Sequence, residues 1–404
     1  MKILINSINY LPELTGIGKY SGEMSEWLAA QGHEVRVVTA PPYYPAWEVS
    51  PGYSGARYQH EKIEGVSVYR CPLWVPASPT GLTRIIHLAT FGLTSLPLML
   101  WHGLVWRPDV VMTIEPPLFS APGAWVAGRL GGAKTWLHIQ DYEVDAAFDL
   151  DIIKSECLRK FVLSVERWMM ARFDRVSTIS ESMIKKLAEK EIPKGKQFLF
   201  ANWVDVQHIA PLERESDFRM QLNIPAGAKV LLYSGNMGKK QGLELIINAA
   251  KKLKDHSDIY FVLCGDGAVK DMLVESSIDL ENVLFIPLQP LEKLNELLSL
   301  ADIHLLPQKE GAEDLVMPSK LTNMAASGRP VIATAREGTE VELVVRHCGI
   351  SVPPEDLESF VEAVLELAAN PSRRQELGKA GRVFAHEAWE KGKILSSAFG
   401  EDFQ

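Results

Sequence analysis

Short apolar runs recur along the chain, and between them apolar residues return at the spacing of a helix face. In the first half the runs Lys2–Asn6, Val35–Thr39, Val66–Tyr69, Val110–Thr113, Thr135–His138 and Val176–Ile179 are predicted strands. In the second half they are Val230–Tyr233, Ile259–Cys264, Val283–Ile286, Ile303–Leu306, Pro330–Ala333 and Gly349–Val352. Strand and helix in alternation mean an α/β protein with parallel sheets, because a parallel crossover needs a helix to bring the chain back. Two sets of about six strands in a chain of 404 residues predict two doubly wound, Rossmann-like domains. The change-over falls near Asn202–Asp205, ahead of the polar stretch Glu213–Phe218. In such sheets ligands sit beyond the C-terminal ends of the strands, so a cleft between the halves is the expected active site.

Arg84–Arg107 does not fit that alternation. It encloses about twenty mostly apolar residues, among them Phe91, Leu98, Leu100, Trp101 and Trp106. That is long enough for a membrane span, but Pro97, His87, His102 and glycines interrupt it. A span here would also split a sheet between its third and fourth strands. Three readings stand: a span, a helix lying on a membrane surface with tryptophans at headgroup level, and a buried core helix.

Composition narrows the class. With 47% hydrophobic and 23% charged residues the chain can bury full cores. The first 205 residues carry 21 basic and 21 acidic side chains, so the remainder carries the whole net charge of −9. A nucleic-acid binder would show a large basic excess, and none is present. A neutral first half beside an acidic second half is compatible with the first lying near an anionic membrane. The four cysteines, Cys71, Cys157, Cys264 and Cys348, are far apart and form no C-x-x-C pair. They read as reduced thiols of a cytosolic protein. The N-terminus runs straight into a strand pattern, which argues against a secretory signal.

The richest stretch for chemistry lies between the strands at Ile303 and Pro330. A polar, acidic loop holding Glu310 and Asp314 leads to Pro318, Ser319 and Lys320, and then to a short helix of small apolar residues ending at Gly328. A helix start presents free N–H groups and a positive dipole end, which suits a phosphate. Lys320 adds a point charge there and Ser319 a hydroxyl donor. The bland alternative is an ordinary capped helix between two buried strands.

Other loops repeat the pattern of strand, glycine, helix. After the first strand, Gly16 and Gly18 let backbone approach a ligand before a helix near Lys19. About nine residues separate them from the strand, and strand two ends in Thr39-Ala-Pro-Pro42. That spacing does not match a dinucleotide fingerprint. A loop that meets a phosphate or sugar fits better, with a tight packing turn as the alternative. In the second half Tyr233–Gly242 holds Gly235, Asn236, Lys239, Lys240 and Gln241, and the next strand ends in Gly265-Asp266-Gly267. Three candidate ligand loops at strand ends of one domain favour a nucleotide site. His138 and Asp141 follow the fifth strand and suit acid/base work or sugar hydroxyls; a satisfied structural histidine is the equal alternative for His138. Asp149-Leu-Asp151 has the D-x-D spacing of metal-dependent sugar transferases, but it does not close a strand and reads as a solvated loop.

Taken together, Ile8–Tyr20, Val38–Pro45, Leu137–Ala146, Tyr233–Gly242 and Pro318–Asn323 resemble, in the same order, the retaining GT-B glycosyltransferases of family four. The resemblance covers nearly the whole chain. It implies an acceptor-binding domain at 1–205, a nucleotide-sugar domain at 206–381, and a C-terminal helix, Arg382–Phe399 within 382–404, packing back on the first domain. It further implies transfer of L-fucose from GDP-fucose to a polyprenyl diphosphate-linked saccharide during exopolysaccharide assembly, with no cofactor and no metal. The protein would then be cytoplasmic and peripheral on the inner face of the membrane. Many members carry an arginine and a lysine where this chain has Asn236 and Gln241, and two glutamates where it has Leu315 and Asn323. The resemblance therefore puts the diphosphate on Lys320 and Ser319, the ribose on Asn323, and the sugar near Glu310 or Asp314. Members also carry a histidine where Gln140 precedes Asp141. The missing charged residues keep a non-catalytic, membrane-associated assembly protein open as an alternative, and the shared fold keeps a sugar-nucleotide epimerase open.

Overall fold

The computed structural model describes residues 1–13, 16–144, 156–310 and 319–400. It divides into two compact units, Met1–Phe200 and Ala201–Gln404. Asp149, Asp151, Asp314 and Leu315 lie outside the described residues.

The first unit runs β1 (Lys2–Asn6), α1 (Gly16–Ala30), β2 (Glu34–Thr39), β3 (Gln59–Ile63), β4 (Val66–Arg70), α2 (Gly81–Trp101), β5 (Val110–Glu115), α3 (Ala121–Gly131), β6 (Lys134–Ile139), α4 (Glu156–Met170), β7 (Arg175–Thr178), α5 (Glu181–Glu189) and β8 (Gln197–Leu199). Its sheet has the order β3-β4-β2-β1-β5-β6-β7-β8. Every pair is parallel except β3 with β4. The sequence predicts six of these eight strands. The two it misses are edges: β3 reads Gln-His-Glu-Lys-Ile, without an apolar run, and β8 is three residues long.

The apolar segment that broke the alternation is α2, which continues as a π-helical turn over His102–Trp106. Thr80 and Thr83 cap its start reciprocally. His87, Leu88, Phe91, Ser95 and Met99 form its buried stripe. Leu88, Phe91 and Met99 pack with Leu4, Val38, Val111, Ala124 and Ala127 of the sheet and α3. Gly103 lets the π turn lie on α3, since a Cβ there would meet the Ala127 carbonyl oxygen at 2.5 Å. The opposite side exposes Leu82, Leu93, Trp101, Leu104 and Val105. The segment is long and apolar enough to cross a membrane, yet its inner stripe belongs to the core. Trp106 is a correction to the headgroup reading. It is buried, its Nε1 donates to Glu34 at 2.9 Å, and the Arg36 guanidinium covers its ring.

The second unit runs α6 (Asp217–Gln221), β9 (Lys229–Ser234), α7 (Glu244–Lys252), β10 (Ile259–Cys264), α8 (Lys270–Ser276), β11 (Val283–Ile286), α9 (Leu294–Leu300), β12 (Ile303–Leu306), α10 (Ser319–Ala326), β13 (Val331–Thr334), α11 (Glu340–Cys348), β14 (Gly349–Val352), α12 (Leu357–Ala369), α13 (Pro371–Ala388) and α14 (Lys391–Phe399). All six strands are parallel, in the order β11-β10-β9-β12-β13-β14. Successive residues of β9 serve opposite faces. Leu231 and Tyr233 pack with Ile246, Phe261 and Phe360, while Val230 and Leu232 pack with Phe218, Leu297 and Leu300.

The C-terminal helix differs from expectation. Arg382–Phe399 is not one helix: α13 ends at Ala388, and the Glu390 carboxylate caps α14 by accepting from the Gly392 and Lys393 N–H groups. α13 packs within the second unit, where the Arg382 guanidinium donates to the Val206, Ile209 and Ala326 carbonyls. Those bonds tie residue 382 to the second unit.

Candidate active site

In the second sheet the strand order reverses between β9 and β12, which is where an open α/β sheet takes a ligand. The loops beyond β9 and β10 lie backbone on backbone there. Gly235 N–H donates to Cys264 at 2.9 Å, Met237 to Asp266 at 2.7 Å, and Val269 back to Met237 at 3.0 Å. Gly265 has φ +151° and sits so close that a Cβ would fall 2.0 Å from the Gly235 oxygen. Gly267, at φ +149°, faces the Met237 oxygen in the same way. Only glycine allows either the angle or the approach.

Lys320, in the first turn of α10 as described, enters this loop pair. A side chain on Gly235 would meet its ammonium at 3.6 Å, and that ammonium lies 4.2 Å from the centre of the Tyr233 ring. Among the described residues no carboxylate pairs with it. Burial lowers its pKa from 10.5 to about 7, because a desolvated ammonium with no counter-charge gives up its proton readily. An anion arriving beside it would restore the charge. Asn323 is one turn further along the same helix face and partly buried, and Ser319 is exposed.

The structure thus brings Gly235, Asn236, Gly265, Asp266, Gly267 and Lys320 together. Asn236 is exposed, its backbone oxygen accepting from the Tyr233 hydroxyl. The short turn Lys239–Gln241 extends this rim, with Lys239 and Lys240 exposed. The Lys240 carbonyl accepts from Lys309 N–H at 3.0 Å, which ties the loop after β12 to the rim. Gln241 Oε1 is buried without a hydrogen-bond partner. Glu310 is exposed at the end of the described part of that loop.

In the first sheet the reversal falls between β1 and β5. Two polar side chains that the sequence did not single out lie at those strand ends. Asn6 and Glu115 are wholly buried, and among the described residues none of their side-chain oxygen or nitrogen atoms has a hydrogen-bond partner. Burial, and then the carboxylates of Glu166, Glu143 and Asp141, push Glu115 well above the usual carboxylate range. Its signal in the sequence is an acid closing a strand directly before Pro116-Pro117.

Glu13 was missed as well. One carboxylate oxygen accepts from the Tyr43 and Tyr44 N–H groups at 2.7 and 2.8 Å, and the other from Asn9 Nδ2 at 2.8 Å. Gly18 is packed against it, since a Cβ there would meet the Glu13 oxygen at 2.8 Å. Gly16 is exposed, with φ +54° and open space around its Cα.

His138 is placed in the interior. Its Nε2 lies 2.9 Å from Gln140 Nε2 and its Nδ1 2.9 Å from Ser177 Oγ. The neutral tautomer with the proton on Nδ1 satisfies both contacts, and burial holds the ring pKa down to about 3. Its two nitrogens face protein, so the ring offers no edge to a ligand in this arrangement. His138 is the penultimate residue of β6, and Gln140 and Asp141 follow the end of the strand.

The family described as Glycosyl transferase 4-like domain matches residues 15–203, and Glycosyl transferases group 1 matches residues 214–384. Over 407 aligned residues the chain is 43% identical to the Escherichia coli (strain K12) protein bearing the name colanic acid biosynthesis glycosyl transferase WcaI, covering 98% of each. Among solved structures it is similar to sucrose-phosphate synthase from Thermosynechococcus elongatus, with a TM-score of 0.73 at 19% identity, covering 98% of this chain and 97% of that one. It is also similar to Anabaena HepE in complex with UDP, with a TM-score of 0.72 at 12% identity and 98% coverage of each.

Proposed function

We propose, from the premise that this chain belongs to the family-four GT-B glycosyltransferases, that it moves a sugar from a nucleoside diphosphate to a lipid-linked saccharide in the assembly of a colanic acid-like exopolysaccharide. The donor is read as GDP-fucose and the transfer as retaining. The observation that carries the reading is Lys320: an ammonium that pairs with no carboxylate among the described residues, desolvated beside the glycine-lined loops at the reversal point of the second sheet. That is what a departing diphosphate requires of a site. Lys320 with Ser319 would take the diphosphate, Asn323 the ribose, and Gly265–Gly267 would let backbone approach the base. The first unit would take the acceptor. No metal is needed if Lys320 and the helix dipole carry the leaving charge.

Titration calorimetry with GDP, UDP and their sugars tests this. Binding of GDP-fucose in preference to the UDP compounds, unaffected by a chelator, is the expected result. Absence of any nucleotide binding would leave the assembly-protein alternative, and turnover of free nucleotide-sugar without acceptor would favour the epimerase.

Attachment to the inner face of the membrane belongs to the same proposal. The outer side of α2 and its π turn is mostly aliphatic with Trp101 among it, and α4 exposes Leu158, Phe161, Val165 and Trp168 at helix spacing. Burying such groups at about 25 cal/mol per Å² supports reversible attachment. Flotation with anionic vesicles should be lost when Leu93, Leu104 and Val105 become serine. Leu98 is unsuitable for that test because it packs against the core.

A further inference from the structure

The loops beyond β2 and β4 share a feature that the donor site does not use. From residue 31 to residue 80 the exposed large hydrophobic side chains are Tyr44, Tyr58 and Trp74, all aromatic. The exposed aliphatic ones of this unit lie elsewhere, on or beside helices apart from Leu199 on β8. Tyr44 and Trp74 follow two parallel, paired strands and so emerge at the same end of the sheet. They are joined underneath. His87 Nδ1 donates to the Trp74 carbonyl at 2.7 Å, and its ring packs edge-on against Tyr43 at 4.7 Å and tilted against Trp47 at 5.3 Å. Trp47 holds φ +56°, an uncommon angle for a bulky residue and one that tends to mark functional loops.

Two buried side chains tie these loops to the turn that carries Gly16 and Gly18. Glu13 accepts from the backbone of Tyr43 and Tyr44, as described. Arg70 donates to the Leu11 carbonyl at 2.6 Å and to the Ala40 carbonyl at 2.9 Å. Each therefore bonds both the loop after β1 and the loop after β2. Aromatic residues whose backbone is pinned in this way lose less freedom when a ligand lands on their rings.

We propose that Tyr44, Trp47 and Trp74 form a saccharide-binding platform on which a pyranose ring of the acceptor stacks, with Glu13 as the residue that positions it beside the Gly16–Gly18 turn. The apolar C–H face of a pyranose fits an aromatic face, and its ring hydroxyls stay in water or reach polar edges. A lipid chain would favour the aliphatic surface of α2 instead. The inference rests on the first unit taking the acceptor, and its test separates the two.

Wild-type protein is mixed, without any nucleotide-sugar, with neutral cello-, malto-, manno- and fuco-oligosaccharides, and tryptophan fluorescence and saturation-transfer NMR are recorded. At least one series should bind. Tyr44→Ala and Trp74→Ala should each weaken it about tenfold, while Tyr44→Phe keeps it. Glu13→Ala should weaken it and Glu13→Gln restore it, because the amide oxygen still accepts from the two N–H groups, with binding of GDP or UDP unchanged throughout. No binding by folded wild type, or values within twofold for Tyr44→Ala and Trp74→Ala, overturns the platform. Both positions are exposed, so those variants remain informative if Glu13→Ala fails to fold. Nucleotide binding, titrated separately, decides the transferase reading whichever way the platform falls.

Discussion

The strand ends of the second unit are built from backbone. Gly265 and Gly267 are pressed onto Gly235 and Met237, and the Lys320 side chain lies beside them. The corresponding strand ends of the first unit are built from side chains: Glu13 and Arg70 bridge two loops, and Asn6 and Glu115 are sealed in at the reversal of strand order. A backbone-built site suits a phosphate, whose oxygens any N–H can meet. Loops held by side chains can present specific surfaces, which suits a partner recognised by shape. The difference also decides what a sequence shows. Glycines a fixed distance past a strand are visible in one chain, whereas a single Glu or Arg looks like any surface charge.

The sharpest break of this comparison is Lys320→Ala. If the second unit's chemistry depends on one ammonium, turnover should fall by about 10² to 10³, the usual loss for an electrostatic contact made in the transition state. The melting temperature should hold, because the lysine carries no ion pair within the described residues. If Lys320→Ala kept near-full activity while Lys239→Ala or Lys240→Ala abolished it, the phosphate would belong to the exposed rim.

Glycine replacement tests the backbone claim directly. Gly265→Ala must open the contact with the Gly235 oxygen, and its φ of +151° strains any side chain. A loss of about 2–4 kcal/mol in urea unfolding is expected, with weaker nucleotide binding. Gly16→Ala in the first unit has φ +54° and nothing within 4 Å, so about 1 kcal/mol is expected. Equal losses at the two positions would remove the distinction between the units.

How far the sequence carried follows from the same physics. Most of the twelve predicted strands are buried and apolar, and several match to the residue, because strands covered on both faces cannot hide their pattern. β3 and β8 escaped because edges need no such pattern. The glycine loops and Lys320 were legible as residue types at strand ends. Glu13, Arg70, Asn6 and Glu115 were not, since their role depends on partners 30 or more residues away or on burial that no local pattern encodes. Trp106 errs in the other direction, and at His138 the packing fits the structural one of its two readings: each has the chemistry of a functional residue, and tertiary contacts satisfy it internally.

His138 sharpens the first unit's side of the comparison. Its pKa is about 3 folded, against 6.5 for an exposed histidine. Below pH 6.5 the unfolded chain takes up a proton that the folded protein refuses, so His138 costs stability progressively from pH 6.5 down to about 3. Between pH 6 and 4 the slope approaches about 1.4 kcal/mol per pH unit. His138→Gln, which can keep hydrogen bonds to Gln140 and Ser177, should cost about 1–2 kcal/mol at pH 7. It should also flatten the acid limb of stability measured by denaturant unfolding. A parallel limb would mean that His138 is already titrating in the folded state and open to ligand.

The smallest effect concerns how Lys320 holds its proton. With a pKa of about 7 in the free protein, it is about half charged at neutral pH and mostly neutral by pH 8. A bound diphosphate favours the charged form and raises the pKa again, so donor binding must draw a proton from solution. Above pH 7 the affinity for a nucleotide-sugar should therefore fall, by up to about tenfold per pH unit, until the bound-state pKa is reached. Calorimetry in buffers of different ionisation heat reads the uptake directly: about half a proton at pH 7, approaching one at pH 8 to 9. Lys320→Arg keeps its charge across this range and should bind with no such slope. If wild type took up no proton, the ammonium would be charged before the ligand arrives. The second unit would then hold its anion by a standing charge, and the contrast with the polar groups buried in the first unit would lose its electrostatic half.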